Sequence, residues 1–107
     1  MKTLKFRKNL SELILKCEKT ITWRFFDDKN LEKDDVVSFL IWETGEEFGR
    51  AKLISVKEKP LNRLSEDDWI GHEKFDSDKE MFETYSKYYN QKIDENSLVK
   101  IIRFELV

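Results

Sequence analysis

The run from Thr20 to Phe25 constrains the fold more than any other stretch of the chain. Ile21, Trp23 and Phe25 alternate with Thr20, Thr22 and Arg24, and successive side chains of a strand point to opposite faces. β-Branched and aromatic residues also suit a pleated surface. The run therefore predicts a strand with one face in an apolar core and the other carrying two hydroxyls and a guanidinium. Such a strand needs partners, and the sequence supplies them. Leu4 and Phe6 open a short strand. Val36 to Trp42 and Phe48 to Val56, the latter extending toward Lys59 and stopping before Pro60, flank a turn at Glu43, Thr44, Gly45 and Glu46. Val99 to Leu106 makes the last strand.

Helical spacing occurs twice. Leu10, Leu13, Ile14 and Cys17 recur at helical intervals behind a cap at Asn9 or Ser11, which predicts Cys17 as a core thiol. Ser77 and Glu80 form a capping-box pattern before Met81, Phe82, Tyr85 and Tyr88 or Tyr89. Between these segments, Asp27, Asp28, Lys29 and Asn30 make a polar connection, and Ser65 begins a short acidic helical turn through Asp68 and Trp69. Several short strands with two principal helices predict an α+β fold, a small curved mixed β-barrel. At 107 residues the chain has core enough for one domain, spanning 1–107. Eight Phe, three Trp and three Tyr supply the bulk for that core and disfavour disorder.

Charge narrows the partners. The net charge is only -2, so indiscriminate attachment to a nucleic-acid backbone or an anionic membrane is not the expectation. The charges are nevertheless segregated. Residues 1–24 and 48–63 are locally basic, whereas 25–47 and 64–83 are locally acidic. If the two basic segments meet in space, they present one anion-binding face suited to a small ligand or a short strand; otherwise they are solvated faces. One cysteine excludes an internal disulfide, and one histidine leaves no His/Cys cluster for zinc. Glu66, Asp67 and Asp68 are adjacent on one short helix and cannot all converge on an ion. No metal site and no cofactor is expected. No apolar stretch is long enough to span a bilayer, and Met1 to Phe6 lacks a secretory apolar run, so the expected compartment is the cytoplasm.

Candidate chemistry concentrates at Lys19, Thr22 and Arg24, where a helix passes into a strand. Thr22 and Arg24 share a face, about 7 Å apart by the strand repeat. Arg24 can hold a phosphate, carboxylate or carbonyl, and Lys19 can bind charge or, if desolvated, act as a base. Thr22 can bind ligand or become a nucleophile once activated. The same three residues also fit an edge strand with surface charges. Trp23 and Trp42 can stack on a base or fill core and rim positions. Lys57, Lys59 and Arg63 add phosphate contacts if they approach Arg24. Tyr85, Tyr88 and Tyr89 can form a ligand rim, although their spacing describes helix packing first. His72 can move a proton near neutral pH, while its place between Gly71 and Glu73 favours a loop or surface role.

The run KTITWR, followed by DKNLEKDDVVSFL and, after a turn, by EFGRAKLISVKEK, resembles the ASCH family in its order of lysine-containing turn, strand ending in arginine, acidic turn and hairpin. Glu18 stands where glycine often precedes that lysine, and Asp34-Asp35 replaces a common Gly-Asp ending. The resemblance covers nearly the full chain and implies a PUA-like barrel with RNA-related function. Joined to the residue reading above, the leading expectation is recognition of RNA or of a modified nucleoside in a basic cleft, with Arg24, Trp23, Lys57 and Lys59 as ligand contacts. One branch of the family looks like a small amidohydrolase acting on acetylated cytidine. Its catalytic lysine and threonine fall onto Lys19 and Thr22, and its glutamate onto Glu73, with His72 in the adjacent register. In that reading Lys19 takes the proton of Thr22, Thr22 attacks the amide carbonyl, and Glu73 orients the substrate or protonates the departing amine. A protein-interaction module without nucleotide recognition is the third expectation.

Overall fold

The computed structural model describes residues 1–27 and 29–107. Asp28 of the expected polar connection lies outside the described residues. The strands are β1 (Thr3–Phe6), β2 (Ile21–Arg24), β3 (Val36–Ile41), β4 (Glu47–Pro60) and β5 (Leu98–Leu106). Among the described residues three α-helices, α1 (Lys8–Leu15), the single turn α2 (Glu66–Trp69) and α3 (Asp78–Tyr89), and a 3-10 turn at Leu61–Arg63 join them.

All five strands form one sheet in the order β1-β3-β4-β5-β2. The β1–β3 pair is parallel and the other pairs are antiparallel. β4 is long enough to pair β3 with its first half and β5 along most of its length. Its register with β5 shifts between Leu53 and Ser55, and that of β3 with β4 shifts between Phe39 and Leu40. Such irregularities bend a strand and increase local twist. The sheet curls into a half-barrel whose edge strands, β1 and β2, do not pair with each other.

Alternation along β5 generates two cores, one on each face of the strand. Ile102 and Phe104 join Leu4, Phe6, Ile14, Leu31, Val37, Phe39, Ala51 and Leu53 on one side. Val99 and Ile101 join Ile21, Trp23, Phe25, Leu61, Met81, Tyr85 and Ile93 on the other. The first core packs the sheet against α1, and the second packs β2 and β5 against α3. The alternation predicted for β2 thus places Ile21, Trp23 and Phe25 together in the second core.

The helix ends show where local chemistry set the path. Ser77 caps α3 as expected, its hydroxyl accepting from the Glu80 N–H at 3.1 Å. Neither Asn9 nor Ser11 caps α1. The helix starts earlier, at Lys8, whose N–H donates to the Glu43 carboxylate at 3.1 Å, and the Ser11 hydroxyl turns back to the Lys8 carbonyl at 2.6 Å. Cys17 also departs from its expected place. The helix ends at Leu15, and Cys17 takes a left-handed conformation (φ 62°) and is exposed. Its N–H donates to the Ile14 carbonyl and that of Glu18 to the Leu13 carbonyl, the paired bonds of a Schellman turn. The turn breaks the helical register before Cys17 can reach the core. It also redirects the chain so that Lys19 enters the protein interior.

Candidate functional site

A recess of about 150 Å³ opens at the seam between the unpaired edges β1 and β2. Lys5, Phe6 and Arg7 approach from the β1 side, Thr22, Trp23 and Arg24 from β2, and Tyr85, Tyr88 and Tyr89 from α3. Trp42, at the end of β3, and the loop pair His72 and Glu73 complete the wall with Leu10. An incompletely closed barrel leaves a gap, and the side chains around this gap are mostly aromatic or charged.

Lys19 is only 2 % exposed. Its ammonium donates to the Ile21 carbonyl at 2.8 Å and to Glu73 Oε2 at 2.6 Å. That carbonyl belongs to the peptide unit joining Ile21 to Thr22, so the ammonium lies against the backbone of the threonine. Burial pushes the Lys19 pKa down, opposed by the Glu73 charge. Burial alone would raise the Glu73 pKa, but the Lys19 ammonium overrides it and holds the carboxyl below its ordinary value. Lys19 itself does not line the recess; it reaches the recess through Glu73.

Thr22 is 4 % exposed and lines the recess. Arg24 bridges the seam, with Nη2 donating to the Lys5 carbonyl at 2.7 Å and its guanidinium 4.7 Å from the Phe6 ring centre. This cation links two strand edges that the sheet leaves apart. Its Nε is buried with no hydrogen-bond partner among the described residues. Burial lowers the Arg24 pKa, yet a guanidinium stays protonated throughout the ordinary pH range.

His72 lies in a loop, as expected, but is buried there, which corrects the surface alternative. Its ring stacks on Trp23 with centroids 3.8 Å apart and planes at 18°, while Trp69 meets Trp23 edge-on at 4.6 Å. His72 Nδ1 lies 2.6 Å from the Glu73 carbonyl oxygen. A carbonyl only accepts, so Nδ1 carries the proton, and Nε2 accepts from the Tyr85 hydroxyl at 3.3 Å. Burial, reinforced by the Lys19 charge, lowers the His72 pKa to about 4, leaving the ring neutral near pH 7. The loop is seated by Gly71, whose carbonyl accepts from the N–H groups of Thr20 and Ile21 at 2.8 and 3.2 Å. Gly71 sits at φ 85°, and a Cβ there would come within 2.1 Å of Thr20 Oγ1.

No known family model and no curated protein matches the sequence. Solved structures do. Protein EF3133 of Enterococcus faecalis V583 superposes with a TM-score of 0.76 at 17% identity, over 92% of this chain and 70% of its own. An ASCH domain from Lactobacillus crispatus JV V101 gives 0.69 at 16% identity over 98% and 79%. An ASCH protein from Zymomonas mobilis gives 0.68 at 11% identity over 96% and 65%. The fold is the ASCH fold.

On this ASCH scaffold the expected residues fall into two groups. Lys19 and Glu73 bond directly, and Glu73, Thr22, Trp23 and Arg24 share one recess. Lys57 and Lys59 do not line it. Lys59 instead pairs with Asp68, the buried carboxylate that accepts from the Ser65 N–H at 2.8 Å, while Lys57 is exposed on β4. Sequence reasoning overlooked Lys5 and Arg7. Their signal was available, because they alternate with the inward-facing Leu4 and Phe6. The tyrosines combine both expected roles: Tyr85 is buried in the second core, Tyr88 stands at the rim, and the Tyr89 hydroxyl accepts from the Phe25 N–H. No helix among the described residues is long and apolar enough to cross a membrane.

Proposed function

We propose that the recess binds a single modified pyrimidine nucleoside. One observation carries this reading. An aromatic-walled pocket is lined by a hydroxyl, a carboxylate and a guanidinium, at Thr22, Glu73 and Arg24. A flat ring with polar edges matches such walls, since bases stack on aromatic faces and are distinguished by hydrogen bonds at their edges. The volume of about 150 Å³ suits one base rather than a length of duplex. Lys57 and Lys59, which would have extended a basic track for longer RNA, lie elsewhere.

A second reading, hydrolysis of an acylated pyrimidine nucleoside such as acetylcytidine, is supported by the buried Lys19–Glu73 pair beside Thr22. Desolvation favours release of the Lys19 proton. As the neutral amine, Lys19 takes the proton of Thr22 while Oγ1 bonds to the amide carbonyl carbon, sending the carbonyl electron pair to oxygen. Arg24 stabilises that oxyanion. Collapse breaks the carbon–nitrogen bond, and the departing amine takes a proton delivered through Glu73. Water then cleaves the acyl-threonine ester, releasing a carboxylic acid and restoring the hydroxyl.

A nucleoside binding panel followed by product analysis separates the readings. Arg24→Ala is expected to weaken nucleoside binding by about tenfold, the value of one charge-assisted hydrogen bond, with the circular-dichroism spectrum retained. Unchanged affinity overturns the binding role of Arg24. With acetylcytidine, Thr22→Ala should reduce turnover by at least about a thousandfold, as for removal of a nucleophile. Equal turnover by parent and variant, or none by the parent, removes the hydrolase reading and leaves the binding one standing.

A further inference from the structure

At the mouth of the recess the Arg7 guanidinium lies 4.9 Å from the Trp42 ring centre and 5.4 Å from that of Tyr88. The Lys5 ammonium lies 5.4 Å from the same Trp42 ring. Both aromatic rings are about half exposed, 53% for Trp42 and 52% for Tyr88. Neither cation forms an ion pair with a described carboxylate, although acids outnumber bases 22 to 20 in this chain. Glu43, which comes close to the start of α1, is engaged by the Lys8 N–H.

A guanidinium flanked by aromatic rings keeps its in-plane N–H donors available, and with its side chain already ordered it loses less freedom on binding. That fork matches two oxygens of one phosphate. We propose that the nucleoside reaches this recess as its monophosphate, with the base against Thr22, Glu73 and Arg24 and the phosphate held at the mouth by Arg7, assisted by Lys5. The inference rests on the nucleoside reading of the recess. It commits to a mononucleotide rather than an RNA strand, because the two cations share the one Trp42 ring as a single local site and Arg24 is the only other lysine or arginine lining the recess among the described residues.

The test compares cytidine, cytidine 5′-monophosphate and a cytidine trinucleotide by calorimetric titration of the parent, Arg7→Gln and Lys5→Gln. The parent should bind the monophosphate about tenfold more tightly than cytidine at low salt, with the preference shrinking as salt screens the charge. Arg7→Gln should reduce the preference to less than about threefold while leaving cytidine affinity unchanged, with a smaller loss for Lys5→Gln. Equal binding of cytidine and its monophosphate by the parent overturns the phosphate site and spares the nucleoside reading. A preference that survives in both variants also overturns it. A trinucleotide bound more than tenfold tighter than the monophosphate replaces the mononucleotide with RNA; failure of all three ligands to bind overturns the phosphate site, and failure of acetylcytidine as well removes the recess reading.

Discussion

The two cores share strand β5 and differ in what they admit. The one beneath α1 is built from aliphatic and phenylalanine side chains, with Phe39 meeting Phe6, Phe48 and Phe104 at centroid distances of 4.7, 6.0 and 5.0 Å. The one beneath α3 is bordered by a lysine, a threonine and a histidine, all buried. Polar groups taken from water must find partners, and charged ones cost more than hydrocarbon of the same volume. The difference singles out the second core as the one that borders the proposed site. The first core is built for packing, whereas the second is bordered by buried polar groups that the proposed function puts to use.

The sharpest test of that contrast is Phe39→Ala. Loss of a fully buried ring should cost about 3–5 kcal/mol, read as a drop in the urea midpoint; a loss below about 1 kcal/mol would mean that the first core is no more committed to stability than the second. Next in size is the buried pair. Glu73→Gln leaves the Lys19 ammonium without its counter-ion and should cost about 3 kcal/mol, the lower end of the range for a broken buried pair because Glu73 retains some solvent contact. Replacing both partners, as Lys19→Met with Glu73→Leu, should recover most of that stability. A double variant as unstable as the single one would break the comparison, since the pair would then be structural in its own right.

The pH dependence follows His72. Its folded pKa of about 4 lies below the unfolded value of 6.5, so between these values the unfolded chain binds a proton that the folded one does not. Stability therefore rises with pH across this window and is lost as pH falls from 6.5 to 4, by at most about 3 kcal/mol. Glu73, held below its ordinary value by Lys19, adds a further loss at still lower pH. His72→Phe retains a ring against Trp23 and should flatten the slope between pH 6.5 and 4; an unchanged slope would assign the dependence to another group.

Much of the scaffold was legible because periodicity reports burial directly. Ile21, Trp23 and Phe25 read as one face and occupy one core, and Ser77 with Glu80 marks the true start of α3. The helix that precedes β2 was harder. Its hydrophobic interval runs on to Cys17, but the backbone turns left-handed there, and a cysteine at that position gives no warning of the kind glycine would. Lys19 was legible from its place where helix passes into strand, whereas Glu73 entered through family resemblance; their spacing in the chain, 54 residues, carries no local signal of contact. His72 read as a loop residue because its neighbours are polar, whereas its burial is decided by Trp23 and Tyr85, which come from other elements. Lys57 and Lys59 illustrate the reverse difficulty: like charge along one strand does not establish that the side chains converge.

Gly71 joins these threads. With only a hydrogen at its α-carbon, the chain can rest directly on Thr20, and that contact brings the carboxylate from one half of the molecule to the ammonium from the other. The Lys19–Glu73 pairing is therefore absent from any local fragment and depends on the seating of the loop that carries Gly71. A methyl group at this point would collide with Thr20 and push the loop off its seat, loosening the Lys19–Glu73 pair while leaving both side chains chemically intact.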